Sequence, residues 1–229
     1  MFGKKKNTYS SNLKVSSLID ERPSGIKHYK LKQTTMNKMK TILFIIAAAL
    51  TFNTASAQKF SKMDKSPLDF AFYPSSAPHR VFAKDEAKQK ALEPQIRVAY
   101  SRPAKKDRVI FGELLKYNEA WRVGANESTE ILFMNDVVFG GKKIKAGRYS
   151  IIIFPTATEW TLKLNTELDG WGDYSYNKEA DIASVTVPVT ASETVIENLS
   201  IALYEASENT VHLKIGWDKS IAEFPITLK

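Results

Sequence analysis

The sequence predicts an all-β fold: a single antiparallel β-sandwich or jelly roll with one short N-terminal surface helix. Three observations carry this. Apolar residues recur at every second position through most of the second half of the chain, the mark of strands with one wet and one dry face. Asn-Asp, Gly-Gly, Ala-Gly and Glu-Asn pairs punctuate those runs at about every 8–12 residues, the spacing of a sandwich. Beyond residue 57, only residues 83–92 (AKDEAKQKAL) have the composition of a helix, and Pro94 stops them.

Taken in order, residues 58–67 are polar and read as a flexible entry. Residues 69–80 (DFAFYPSSAPHR) hold aromatics and two prolines and read as an extended segment draped on the domain. The helix over 83–92 is charge-rich and predicted to lie on the surface. Ile96, Val98 and Tyr100 alternate with polar or small neighbours, as do Trp160, Leu162 and Leu164, and Val211, Leu213, Ile215 and Trp217. Residues 149–154 (YSIIIF) are apolar on both sides and predict a central strand. Further strands are expected near 129–134, 137–144, 182–189, 199–204 and 222–228, about nine in all. The long irregular stretch 166–181 (TELDGWGDYSYNKEAD) is where a sandwich would place function.

Residues 36–58 (MNKMKTILFIIAAALTFNTASAQ) have the pattern of a secretory signal peptide. Lys38 and Lys40 form the positive region, 41–50 the apolar run, and Ala55-Ser56-Ala57 the cleavage site. The apolar run is shorter than the roughly 20 residues that span a bilayer. The expected organisation is therefore a disordered or mis-called extension over 1–35, a signal peptide over 36–57, the entry over 58–67 and the sandwich over 68–229. An exported product is expected, periplasmic or extracellular and soluble, with no stable membrane insertion after cleavage.

The net charge of +8 follows the leader. Residues 1–57 hold ten of the 33 basic and two of the 25 acidic side chains, leaving 23 of each beyond residue 57. A neutral domain gives no electrostatic footing for nucleic acid. The chain has no cysteine, which removes disulfides, thiol catalysis and a lipobox anchor.

Two clusters carry candidate ligand-binding chemistry. The first joins Tyr100 and Arg102 to Trp121, Arg122, Asn126 and Glu127. An arginine fork grips carboxylates bidentately, and an amide both donates and accepts. The same residues also make a structural corner in which Arg122 or Arg102 pairs with Glu127 or Glu130 and Asn126 caps a turn. In either case Trp121 and Ile131 are expected to anchor the core. The second cluster is the aromatic loop with Trp171, Asp173, Tyr174 and Tyr176, which stacks on sugars or peptides if exposed and plugs the sandwich end if not.

Asn165, Glu167, Asp169 and Gly170 echo a calcium loop, but Tyr176 stands where the bidentate glutamate belongs. No G-x-S-x-G elbow is present, and His79 and His212 have no zinc spacing. No metal or cofactor is expected.

The runs IRVAYSRPAKKDRVIFGELLKYNEAWRVGANESTEILF, GGKKIKAGRYSIIIFP, EWTLKLN, WGDYSYNKEADIASVTVPV and IGWDKSIAEFPI resemble the exported bacterial proteins grouped as domain of unknown function 2911. The resemblance covers residues 66–228. It implies an exported β-rich domain and brings no catalytic residue. The reading it leaves is a non-catalytic envelope binding module for a small molecule, glycan or peptide. The alternatives are a hydrolase using Glu127 or Asp173 with Arg122, or a structural component of the envelope.

Overall fold

The structure is a computed structural model that describes residues 26–51, 58–174 and 176–229. The chain forms two compact units, Met1–Ser61 and Lys62–Lys229. In the first, helix α1 (Ile26–Thr51) carries Lys38, Lys40 and the apolar run, with Thr41 donating to the Asn37 carbonyl at 2.9 Å. Residues 26–35 of the expected upstream extension are its first turns. Residues 1–25 and the Ala55-Ser56-Ala57 cleavage site lie outside the described residues. Among the described residues, no helix is long and apolar enough to cross a membrane.

The second unit is a β-sandwich of two antiparallel sheets. Its strands are β1 (Leu68–Tyr73), β2 (Ile96–Ser101), β3 (Glu130–Phe133), β4 (Val137–Phe139), β5 (Lys142–Ile144), β6 (Gly147–Pro155), β7 (Glu159–Asn165), β8 (Asp181–Pro188), β9 (Thr190–Ser207) and β10 (Thr210–Leu228). Six pair in the order β1-β2-β3-β6-β7-β8, and four in the order β5-β4-β10-β9. Period-two alternation sends Ile96, Val98, Ile131 and Leu162 of one sheet and Leu213, Ile215, Phe224 and Ile226 of the other into a common core. Burying each such side chain stabilises the fold by roughly 1.5–3 kcal/mol. The predicted central strand is β6: it lies inside its sheet, and Ser150–Ile153 are buried on both faces. Trp121 and Ile131 are core residues, as expected.

Four expectations about elements need correction. Residues 69–80 are not merely draped: β1 pairs with β2 over its whole length and forms the sheet edge, and Ala77–Phe82 make a 3-10 helix. The predicted helix is shorter, α2 (Glu86–Ala91), because Asp85 accepts the Lys88 N–H at 2.8 Å and so sets the start. The strand expected over 137–144 is a hairpin: Gly140 (φ +58°) and Gly141 (φ +75°) make the two-residue turn whose twist suits antiparallel strands. The runs near 199–204, 211–217 and 222–228 belong to two long paired strands, β9 and β10. Asp218 (φ +56°) absorbs the mismatch as a bulge, so the ribbon bends where a break was expected.

Candidate functional site

Between β2 and β3 the chain leaves one sheet, touches the other and returns. Ala104 pairs with Asn198, and Lys105 donates to the Glu197 carbonyl at 2.6 Å. The return leg docks on β6: Asn118 donates to the Pro155 carbonyl at 2.9 Å, and Trp121 exchanges two backbone hydrogen bonds with Ile153 at 2.8 and 2.9 Å. Thr129 already pairs with the next position of that strand, accepting from Ile151 at 2.9 Å. Residues 122–128 are therefore a loop extruded from a nearly continuous strand edge. Its neck is closed by Thr129 N–H to the Arg122 carbonyl at 3.3 Å and by the Thr129 hydroxyl to the Val123 carbonyl at 2.8 Å.

The loop is strained. Val123 is fully buried at φ +58°, a conformation that a β-branched residue rarely takes, at a cost of about 1–3 kcal/mol. Asn126 follows at φ +62°, which asparagine tolerates. Gly124 packs where a Cβ would sit 3.2 Å from the Ser101 carbonyl oxygen and the Thr129 hydroxyl.

The 166–181 loop docks on this excursion. Ser128 donates its N–H to the Gly170 carbonyl at 3.0 Å and its hydroxyl to the Gly172 carbonyl at 2.6 Å. Arg122 lies 3.4 Å from Asp173, and its guanidinium carbon stands 5.9 Å from the centre of the Tyr174 ring. The far end of the loop is pinned by a polar network. Lys163 donates to Asp181 at 2.8 Å and to the Tyr176 hydroxyl at 3.1 Å, and Tyr176 donates to Asp181 at 2.8 Å. Asn165 donates to Asp181 at 2.9 Å. Burial pushes the Asp181 carboxyl up, but these donors outweigh it and hold it below the usual range.

The two excursions line a cleft of about 420 Å³, within the size range of small-molecule sites. The crossing segment supplies Arg108, Leu114, Leu115, Lys116 and Glu119. The return leg adds Trp121 and the extruded loop Arg122 and Gly124 to Asn126, while Pro103, Ala120, Asp173 and Trp217 complete the lining. Three cations thus face two carboxylates. Behind them stands an aromatic cluster: Trp121 stacks near Trp217 at 6.3 Å and meets Trp160 and Phe111 edge-on at 5.5 and 5.7 Å. Trp121 is 3% exposed. Among the described residues, its Nε1 is the one buried side-chain nitrogen or oxygen without a hydrogen-bond partner. The Trp217 indole, by contrast, donates to the Glu197 carbonyl at 3.3 Å.

Of the residues singled out in the sequence, the cleft brings together Trp121, Arg122, Asn126 and Asp173. Tyr174 overhangs Arg122 and is 85% exposed, and Trp171 is 58% exposed, so neither plugs the sandwich end. Tyr100 and Arg102 sit elsewhere, between the sheets. The Ile201 N–H donates to the Tyr100 hydroxyl at 3.1 Å, and burial raises the pKa of that hydroxyl. Arg102 donates to Asp69 at 2.8 Å, to Ser200 at 2.9 Å and to the Leu199 carbonyl at 3.1 Å.

The expected pairing of Arg122 or Arg102 with Glu127 or Glu130 does not form. Glu127 is exposed and outside the cleft lining. Glu130 takes Arg148 at 3.2 Å, its diagonal neighbour across β3 and β6. The Asp64 carboxyl is held low, first by the Ser66 N–H and then by the neighbouring Asn126 amide. In the calcium-like run, Asn165 is tied to Asp181, and Asp169 to Arg148 at 2.6 Å. Sequence reasoning missed Arg108, Lys116, Glu119 and Trp217: the first three stand in a stretch without periodicity, and Trp217 read only as a strand residue.

Residues 83–226 match the family model described as "Protein of unknown function (DUF2911)". No curated protein and no solved structure matches the chain.

Proposed function

We propose that this chain, which belongs to the DUF2911 family, is an exported, non-catalytic binding module whose cleft takes a small molecule or the end of a glycan or peptide. The observation that carries the reading is the buried, unpaired N–H of Trp121, a residue whose side chain is part of the cleft lining. More than nine in ten buried polar groups are paired in native proteins, and an unpaired donor costs about 1–3 kcal/mol. A sandwich end built only for stability has no use for that cost. The strained Val123 beside it points the same way, since such strain gathers at ligand clamps. The exposed ring of Tyr174, beside Arg122, offers a stacking surface. Of the two carboxylates named for acid–base chemistry, Asp173 lines the cleft and Glu127 does not, so binding is the reading that uses the residues where they stand. Export is supported by Lys38, Lys40 and the apolar run that follows them.

A melting-temperature screen against small acids, glycans and short peptides tests the reading. Ligand at a hundred times its dissociation constant stabilises by about 2.7 kcal/mol. For a domain of this size that is a rise of roughly 5–11 °C. Ala125→Phe, which fills the cleft, should abolish the rise. No shift with any class, or a shift that survives the blocked cleft, refutes the proposal.

A further inference from the structure

The two arginines of the candidate cluster are used in opposite ways. Arg102 spends all three of its nitrogens on acceptors at 2.8–3.1 Å. Arg122 makes one hydrogen bond among the described residues, from Nη1 to the Asn126 carbonyl at 3.3 Å. Its nearest carboxylate oxygen, on Asp173, is at 3.4 Å. Charge-assisted hydrogen bonds settle at about 2.7–2.9 Å, so the Arg122 fork is mostly unspent. Its neighbours repeat the imbalance. The Trp121 N–H has no acceptor among the described residues. Arg108 uses Nε and one Nη on the Lys105 and Ala104 carbonyls, and Lys116 stands exposed at the rim. The cleft has more donors than acceptors and one more cation than anion.

Resting on the binding reading above, we infer that the cleft takes a small carboxylate. Its carboxylate replaces Asp173 on Arg122, and its body lies against the exposed ring of Tyr174. The guanidinium fork matches a carboxylate bidentately, a geometry that Asp173 at 3.4 Å does not achieve. Asp173 is held by the chain near Arg122 and acts as a weak internal stand-in for the ligand. Gly172 permits the approach: a Cβ there would lie 2.4 Å from Arg122 Nη1. Tyr174 offers the apolar face beside the charge.

The test is a titration of the full chain followed by tryptophan fluorescence, since Trp121 and Trp217 line the cleft. Benzoate and glucuronate are compared with their neutral counterparts benzamide and glucose, and with inorganic phosphate, at constant ionic strength. The two carboxylates should saturate and the neutral pair should not. Arg122→Gln should weaken carboxylate binding at least tenfold. Asp173→Asn should tighten it several-fold, because the internal competitor is gone. A purely structural ion pair predicts the opposite sign for Asp173→Asn.

Weaker binding in a folded Asp173→Asn variant overturns the exchange. Should that variant unfold, Ala125→Phe replaces it: a carboxylate response that survives the filled cleft overturns the inference. Equal binding of benzamide or glucose, or tighter binding of phosphate, overturns the carboxylate class and leaves the binding module standing. No saturation with any probe overturns the inference outright, and the melting screen with glycans and peptides then decides the broader reading separately.

Discussion

Trp121→Phe and Trp217→Phe remove the same atoms from two indoles that stack on each other in the core, yet they should differ sharply in cost. Each loses two ring carbons and a nitrogen. At about 0.8 kcal/mol per buried carbon, the apolar loss is about 1.6 kcal/mol in both. Trp217 also loses its bond to the Glu197 carbonyl, a further ~0.5–1.5 kcal/mol net. Trp121 loses no bond and sheds an unpaired buried donor, which returns about 1–3 kcal/mol. Trp121→Phe should therefore be close to neutral and Trp217→Phe should cost about 2–3 kcal/mol. The gap of about 2 kcal/mol or more corresponds to roughly 4–8 °C in melting temperature. Urea unfolding followed by far-ultraviolet circular dichroism measures it, with the denaturant slope checked for constancy. Equal destabilisation, or a larger loss for Trp121→Phe, would show that the Trp121 N–H is well bonded in the free protein and would remove the main support for the cleft as a binding site.

Other consequences follow from single residues. Gly140→Ala should cost at least about 1–3 kcal/mol, because the residue sits at φ +58° and its new Cβ would meet the Ser184 carbonyl oxygen at 2.4 Å; chemical denaturation reads the loss. Glu127→Ala, at an exposed position, should stay within about 0.5 kcal/mol, while Arg102→Met, which breaks one hydrogen bond to β1 and two to β9 on the opposite sheet, should cost several-fold more. Glu223 provides a pH test. Burial raises its pKa, but donors from Tyr204, Lys214 and His212 outweigh that and lower it from 4.5 to about 2. Its contribution is then present above pH 4.5 and lost as pH falls toward 2, so Glu223→Gln should flatten the stability profile across that acid window. An unchanged profile would show that the cluster does not act on stability.

Strand periodicity and turn chemistry are properties of a few neighbouring residues, and so they could be read directly. Ile96-Val98-Tyr100 and Trp160-Leu162-Leu164 placed β2 and β7, and YSIIIF marked the strand buried on both faces. The polar zone before β3 and the aromatic loop after β7 were also legible, because both interrupt that periodicity. What the residues there do was decided by the tertiary fold. Arg122 meets Asp173, 51 positions away, because the 166–181 loop is tied past Ser150 and Glu130 to Ser128 of the extruded loop. Arg102 meets Asp69 because β1 pairs with β2, which local pattern does not announce. The cleft needs a wall from the aperiodic segment after β2 and a floor from Trp217 on the opposite sheet. A residue's alternation follows from the pleat of its own strand, whereas its charge partner follows from sheet order and register, which only the packed core sets.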